Sequence, residues 1–227
     1  METSRKIAII VGVLFIIGTA AGVLSVVVTQ PMLGAEDILW AVSADQTRMV
    51  AGALLVLTMG LTLAMLPVVI YPVLKQHNPI LALGYVVFRG ALEPITYLGT
   101  VVGWLLLVPL SRASVISAYD AGFKTLGDLL LKEAEISSML TALVFPIGAL
   151  MLYVVLFQSK LIPRWLSVWG LLAVVLHFFY TGLFGLFSLA HPVTTNLDIL
   201  NLPIFLQEMV MAVWLIVKGF NSESLVR

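Results

Sequence analysis

Four ionisable residues stand inside long apolar stretches of this sequence: Arg89, Glu93, His177 and Glu208. Arg89 and Glu93 are spaced i,i+4 and would share one face of a helix. The same step in both directions gives Tyr85, Arg89, Glu93 and Tyr97, a polar line that must turn away from apolar surroundings. A guanidinium has five donors in a planar fork and can bridge two carboxylates, so Glu208, from a later segment, is the natural second partner. Such a group can bind an anion through the arginine or exchange a proton through a carboxylate. A plainer reading stands beside it: buried ion clusters also serve only to fix the register of packed helices. His177 heads a thinner line with Thr181 and Ser188, with Tyr180 nearby. It reads either as a lining residue of the same site or as an interior hydrogen-bonded histidine. No HExxH or HxxxH spacing marks a metal site, and no nucleophile elbow surrounds a serine. The absence of cysteine rules out disulfides and thiolate ligands. No catalytic residue, metal or cofactor is therefore assigned.

The elements that position these groups follow from composition. The 227 residues are 61% hydrophobic and 11% charged, with mean hydropathy +1.10. Soluble chains run about 45–50% apolar and about 25% charged. A soluble enzyme, a disordered chain and a nucleic-acid binder are excluded, the last because 12 basic residues merely balance 12 acidic ones. Crossing a hydrocarbon core of about 30 Å takes about 20 apolar residues. Stretches 7–28, 49–74, 80–110, 136–158, 166–190 and 199–217 meet or approach this. The expectation is an all-α polytopic membrane protein, six transmembrane helices in one bundle forming a single domain over 1–227. Counting rises of about 1.5 Å per residue puts all four ionisable groups near the middle of the bilayer, where each costs roughly 2.5–3.5 kcal/mol. Pro94, directly after Glu93, removes a backbone donor and predicts a kink at the cluster. The third stretch is long enough to bend or to continue past the membrane.

Charge sets the orientation. With the N-terminus inside, the inner segments hold seven Lys/Arg and the outer segments four, so both termini are expected in the cytoplasm, with an uncleaved first helix. Trp40 and Trp104 are expected near the outer interface and Trp165, Trp169 and Trp214 near the inner one. Ser43 and Gln46 are spaced as a capping box for the second span. Val115, Tyr119, Phe123, Leu126 and Leu130 recur at helical spacing, which predicts an amphipathic helix around 113–132 on the outer face, either a lid or a connector. Gly18-Thr-Ala-Ala-Gly22 and Gly99-Thr-Val-Val-Gly103 are GxxxG sequences, suited to close packing inside the bundle or to a homodimer.

Ile70-Tyr-Pro-Val-Leu-Lys-Gln-His-Asn78, Ala82-Leu-Gly-Tyr-Val-Val-Phe-Arg-Gly90, Ile162-Pro-Arg-Trp-Leu-Ser-Val-Trp-Gly170, Leu202-Pro-Ile-Phe-Leu-Gln-Glu-Met-Val210 and Ala212-Val-Trp-Leu-Ile-Val-Lys-Gly-Phe220 are distinctive. Together they resemble the bacterial membrane proteins grouped as the domain-of-unknown-function 4386 family, over nearly the whole chain. The resemblance implies a multi-helix protein of the bacterial plasma membrane and brings no catalytic residues with it. The functional expectation is small-molecule binding or proton-linked transport at Arg89, Glu93 and Glu208, lined by His177, Tyr85 and Tyr97. The alternatives are a non-catalytic accessory, sensor or immunity-type protein and, last, an intramembrane hydrolase. Membrane lipids are the expected partners; the small-molecule ligand is not specified by the residues.

Overall fold

The computed structural model describes residues 2–117, 121–188 and 201–225, and every regular element among them is helical. Tyr119, His191 and the ends of the fifth and sixth predicted spans (189–190 and 199–200) lie outside the described residues. In chain order the helices are α1 (Glu2–Leu33), the short α2 (Ile38–Ala44), α3 (Gln46–Leu74), α4 (Pro79–Ile116), α5 (Ala121–Ser159), α6 (Arg164–Phe187) and α7 (Leu202–Val217). Among the described residues, α1, α3, α4, α5 and α6 are long and apolar enough to cross a membrane. α7 is a shorter apolar helix of 16 residues, about 24 Å at about 1.5 Å per residue. The predicted polytopic helical membrane protein is thus the one observed.

Helix starts follow local chemistry. Asp37 caps α2, its carboxylate accepting from the Trp40 N–H at 3.0 Å. Asn78 caps α4 through the Leu81 N–H at 3.0 Å, with Pro79 in the first turn where its missing donor costs nothing. The start of α3 departs from expectation. Its cap is Asp45, which accepts from the Arg48 N–H at 3.0 Å. Ser43 lies within α2 and donates to the Trp40 carbonyl, and the Gln46 side-chain oxygen accepts from Arg112 Nε at 2.7 Å. A carboxylate two residues on thus takes the place of the serine hydroxyl. α7 ends on Gly219 (φ +77°), and the Arg5 guanidinium donates to the carbonyls of Leu215, Ile216 and Val217. The cation sits at the negative end of the helix dipole and satisfies carbonyls that have no partner within the helix.

The predicted amphipathic helix is not a separate element. Residues 113–116 finish α4, and residues 121–132 open the 39-residue α5, continuous with the fourth span. No glycine or proline stands between 128 and 145 to stop it. Part of its apolar line is a packing face: Phe123 and Leu130 lie against the protein's own core. Leu126, Leu129 and Leu130 form an open apolar groove with Leu106, Pro109, Leu110 and Ala113.

The chain divides into two compact units. The second, Gly18–Leu61 with Ile95–Ser138, has an apolar centre that includes Met32, Leu39, Val42, Met49, Val56, Val101, Trp104 and Leu107. Trp104 is 8% exposed, a core side chain with apolar neighbours on several helices. Both GxxxG sequences are packed from within the chain. A Cβ on Gly22 would meet the Met59 sulfur at 2.6 Å, and one on Gly103 would collide with the Glu133 carboxylate. The first unit comprises Met1–Ile17, Thr62–Pro94 and Met139–Arg227 and contains the buried Arg89 and Glu93.

Candidate functional site

The first unit holds two departures from regular α-helix, both π-helical. Val86–Leu92 is one wide turn within α4, and Phe178–Phe184 is the other within α6. Arg89 lies in the first; His177 directly precedes the second. In the first, the Glu93 N–H bonds the Phe88 carbonyl five residues back. The next residue, Pro94, has no donor, and in a regular helix its ring would press on the carbonyl of Gly90. Widening the preceding turn relieves that clash, so the predicted kink takes the form of a π turn. Close approach is provided by glycine. A Cβ on Gly148 of α5 would lie 3.1 Å from the Arg89 backbone nitrogen, and one on Gly182 would lie 2.8 Å from the Ala142 carbonyl oxygen.

Within this frame Arg89 is buried and meets both acids. Nη1 donates to Glu93 Oε1 at 2.9 Å and Oε2 at 3.0 Å, and Nη2 donates to Glu208 Oε1 at 3.4 Å. The guanidinium carbon stands 4.5 Å from the centroid of the Phe145 ring, a cation–π contact. The two carboxylates are not equivalent. Glu93 is fully buried, whereas 15% of the Glu208 side chain is exposed. Tyr85 is buried beside them. Tyr97 belongs to the second unit, where its ring packs over Gly60 and against the apolar centre.

His177 stands against the same Phe145 ring, edge to face, with centroids 5.2 Å apart. Its Nδ1 is 2.8 Å from Asn201 Oδ1, which also accepts from the Thr181 hydroxyl at 2.8 Å. Its Nε2 is buried without a hydrogen-bond partner among the described residues. A second buried polar group was not read from the sequence. The Tyr153 hydroxyl donates to Gln207 Oε1, and Gln207 Nε2 donates to the Leu166 carbonyl at 3.1 Å. Gly170 makes room for the Tyr153 ring, which a Cβ there would meet at 2.5 Å. A neutral amide and a tyrosine carry no charge to betray burial, and Phe145 is one aromatic among many. Asn201 resembles an N-cap at the start of α7, but no cap bond is formed.

His77, between α3 and α4, is partly buried, and its Nε2 has no partner among the described residues. Desolvation holds its pKa below the ordinary value of 6.5.

Apolar helices and a buried Arg–Glu–Glu cluster define a polytopic helical membrane protein with an ion cluster inside its helical packing. Residues 10–219 match the family profile described as Domain of unknown function (DUF4386). The chain belongs to that family. No curated protein matches it, and no solved structure does.

Proposed function

We propose that this chain is a multi-pass protein of the bacterial plasma membrane, with both termini cytoplasmic, that binds a small molecule, or links its transport to a proton, at Arg89, Glu93 and Glu208. The orientation rests on the lysine and arginine bias of the loops. The site rests on the inequality of its acids. Glu93 is fully buried and gives both oxygens to one guanidinium nitrogen, while Glu208 gives one oxygen at 3.4 Å and keeps some exposure. With all three ionised, one positive charge faces two negative ones, and a proton or a ligand balances the remainder. Glu93 then holds the arginine, and Glu208 is the exchanging group. Intramembrane charges are costly and by default mark function. His177, Tyr85 and Tyr97 are the residues we assign to its lining.

The test is a compound screen by uptake into vesicles and by thermal shift on the purified protein. A compound should give a response that Glu208→Gln abolishes and Glu93→Gln weakens. If no compound gives a mutation-sensitive response, the reading fails.

The second reading is a non-catalytic accessory, sensor or immunity-type membrane protein in which the cluster only pins α4 to α7. The closed contact of Arg89 with Glu93 and the Phe145 ring favours it. Combined replacement Arg89→Leu, Glu93→Gln, Glu208→Gln then preserves cellular function, and loss of function in a folded triple variant counts against it.

A further inference from the structure

We propose that the end of the first unit formed by the α5–α6 turn and the segment after α7 docks an anionic phospholipid headgroup, held by Lys160, Arg164 and Lys218. This surface does not involve the buried cluster, and its test does not depend on the binding reading above.

The backbone gives the first sign. Two described residues have φ in the left-handed region, Gly219 at +77° and Lys160 at +59°. Each follows the end of a helix, where that conformation closes the last turn. Gly219 adopts it without steric cost, because glycine has no Cβ. Lys160 adopts it against the clash that a Cβ brings. Glycine would therefore serve the turn at the end of α5 better. What lysine adds there is an exposed ammonium.

Contacts collect further cations around this turn. The Asn221 N–H bonds the Leu161 carbonyl at 2.9 Å, and the Ser224 hydroxyl donates to the Lys160 carbonyl at 3.4 Å. The segment after α7 lies on the turn and brings with it Lys218, shortly before Asn221. Arg164 opens α6 directly after the turn. Its guanidinium carbon stands 5.2 Å from the Phe157 centroid, and the residue is exposed. Arg5 is engaged with the last carbonyls of α7. The nearby acids leave the excess standing. Glu2 pairs with Lys6 at 2.7 Å, and Glu223 forms no ion pair among the described residues. Lys160, Arg164 and Lys218, all exposed, are thus set against one acid, Glu223.

Such a patch attracts anions, and its aromatic neighbours select a lipid. Trp165 follows Arg164, is 54% exposed and stacks with Trp169, centroids 6.5 Å apart. Indole rings beside cations are the pattern of a membrane–water interface, and basic sites at the ends of membrane helices take anionic headgroups. The turn is at that depth. Residues 136–159 before it and 165–187 after it contain no lysine, arginine, aspartate or glutamate, and both belong to helices long and apolar enough to cross a membrane.

The full-length protein, purified in a neutral detergent, is titrated with dioleoylphosphatidylglycerol, with dioleoylphosphatidylcholine and with inorganic phosphate, and its melting temperature is followed. Phosphatidylglycerol should raise the melting temperature with a midpoint about tenfold lower than that of phosphatidylcholine, and phosphate alone should not raise it. Arg164→Gln and Lys218→Gln should each raise the phosphatidylglycerol midpoint about fivefold. Lys160→Gly should do the same, yet leave the lipid-free protein at least as stable as the unmodified one. Lys75→Gln removes an exposed cation that lies over Tyr71 instead, and should change the midpoint less than about twofold. Equal responses to the two lipids overturn the proposal, and that comparison needs no variant to fold. An effect of Lys75→Gln as large as that of Arg164→Gln overturns it too, because binding then follows general charge. A full response to inorganic phosphate overturns the lipid as the occupant. A lipid-free Lys160→Gly protein less stable than the unmodified one overturns the assignment of Lys160 to the headgroup.

Discussion

At the centre of the second unit, Met49, Leu39, Val42 and Leu107 pack against one another and against Trp104. Its buried hydroxyls turn back on their own helices, as Thr29 does to the Ser25 carbonyl at 2.8 Å and Ser111 to the Val108 carbonyl at 2.8 Å. Its helical segments are regular. The first unit buries an arginine, a glutamate, a histidine and a glutamine, and both π turns are there. Apolar packing tolerates small changes of geometry, because dispersion is weak for each contact and non-directional. A buried guanidinium does not, because each donor left unpaired costs a desolvation penalty. The second unit has the character of a scaffold, and the first departs from helical regularity where it carries charge.

The contrast can be broken by substitution. The largest effect is expected from Arg89→Leu, which leaves two carboxylates without their cation. Removing one partner of a buried ion pair costs on the order of 3–5 kcal/mol, so the melting temperature of the purified protein should fall steeply. The triple variant that neutralises Glu93 and Glu208 as well should recover most of the loss. A triple variant as unstable as the single would show that the penalty comes from lost packing and not from unpaired charge.

In the second unit the damaging change is loss of volume. Leu107 is fully buried, and Leu107→Ala should cost about 2–5 kcal/mol through lost transfer energy and the cavity left behind. This loss should not depend on pH, and it should leave ligand responses at Arg89 and Glu208 intact. A Leu107→Ala protein that folds but loses those responses would erase the distinction between the units.

The smallest effect sharpens the contrast within the first unit. Burial lowers the pKa of His77, so the folded protein favours the neutral ring. This contribution is complete above the ordinary value of 6.5 and is lost as the pH falls through it toward the lower folded-state pKa. Between pH 7.5 and 5.5 the melting temperature should fall slightly more for the unmodified protein than for His77→Gln. A fall of equal size in both would remove His77 from the acid limb.

Much of the fold can be read without coordinates, because it depends on local rules. Hydropathy over about 20 residues decides which segments enter lipid. Asp37 and Asn78 begin helices because their short side chains reach a nearby N–H. The Arg89–Glu93 pair follows from the helical period and from the cost of leaving either group unpaired. Prediction failed where a local pattern had two outcomes. The line from Phe123 to Leu130 has the amphipathic spacing of a surface helix, yet Phe123 and Leu130 pack on the apolar centre.

The residue types and spacing alone determined that this is a helical membrane protein and that Arg89 and Glu93 share one helical face inside it. Tertiary structure decided the rest of the site: Glu208, 119 positions away, on the same guanidinium; Phe145 between Arg89 and His177; Tyr153 on Gln207; and Arg5 on the end of α7. The reason is range. Periodicity and hydropathy act over one or two turns of helix, whereas a contact between segments depends on how neighbouring helices rotate and approach. In this protein that rotation and approach are set by where glycines open space and where a π turn re-aims the side chains that follow.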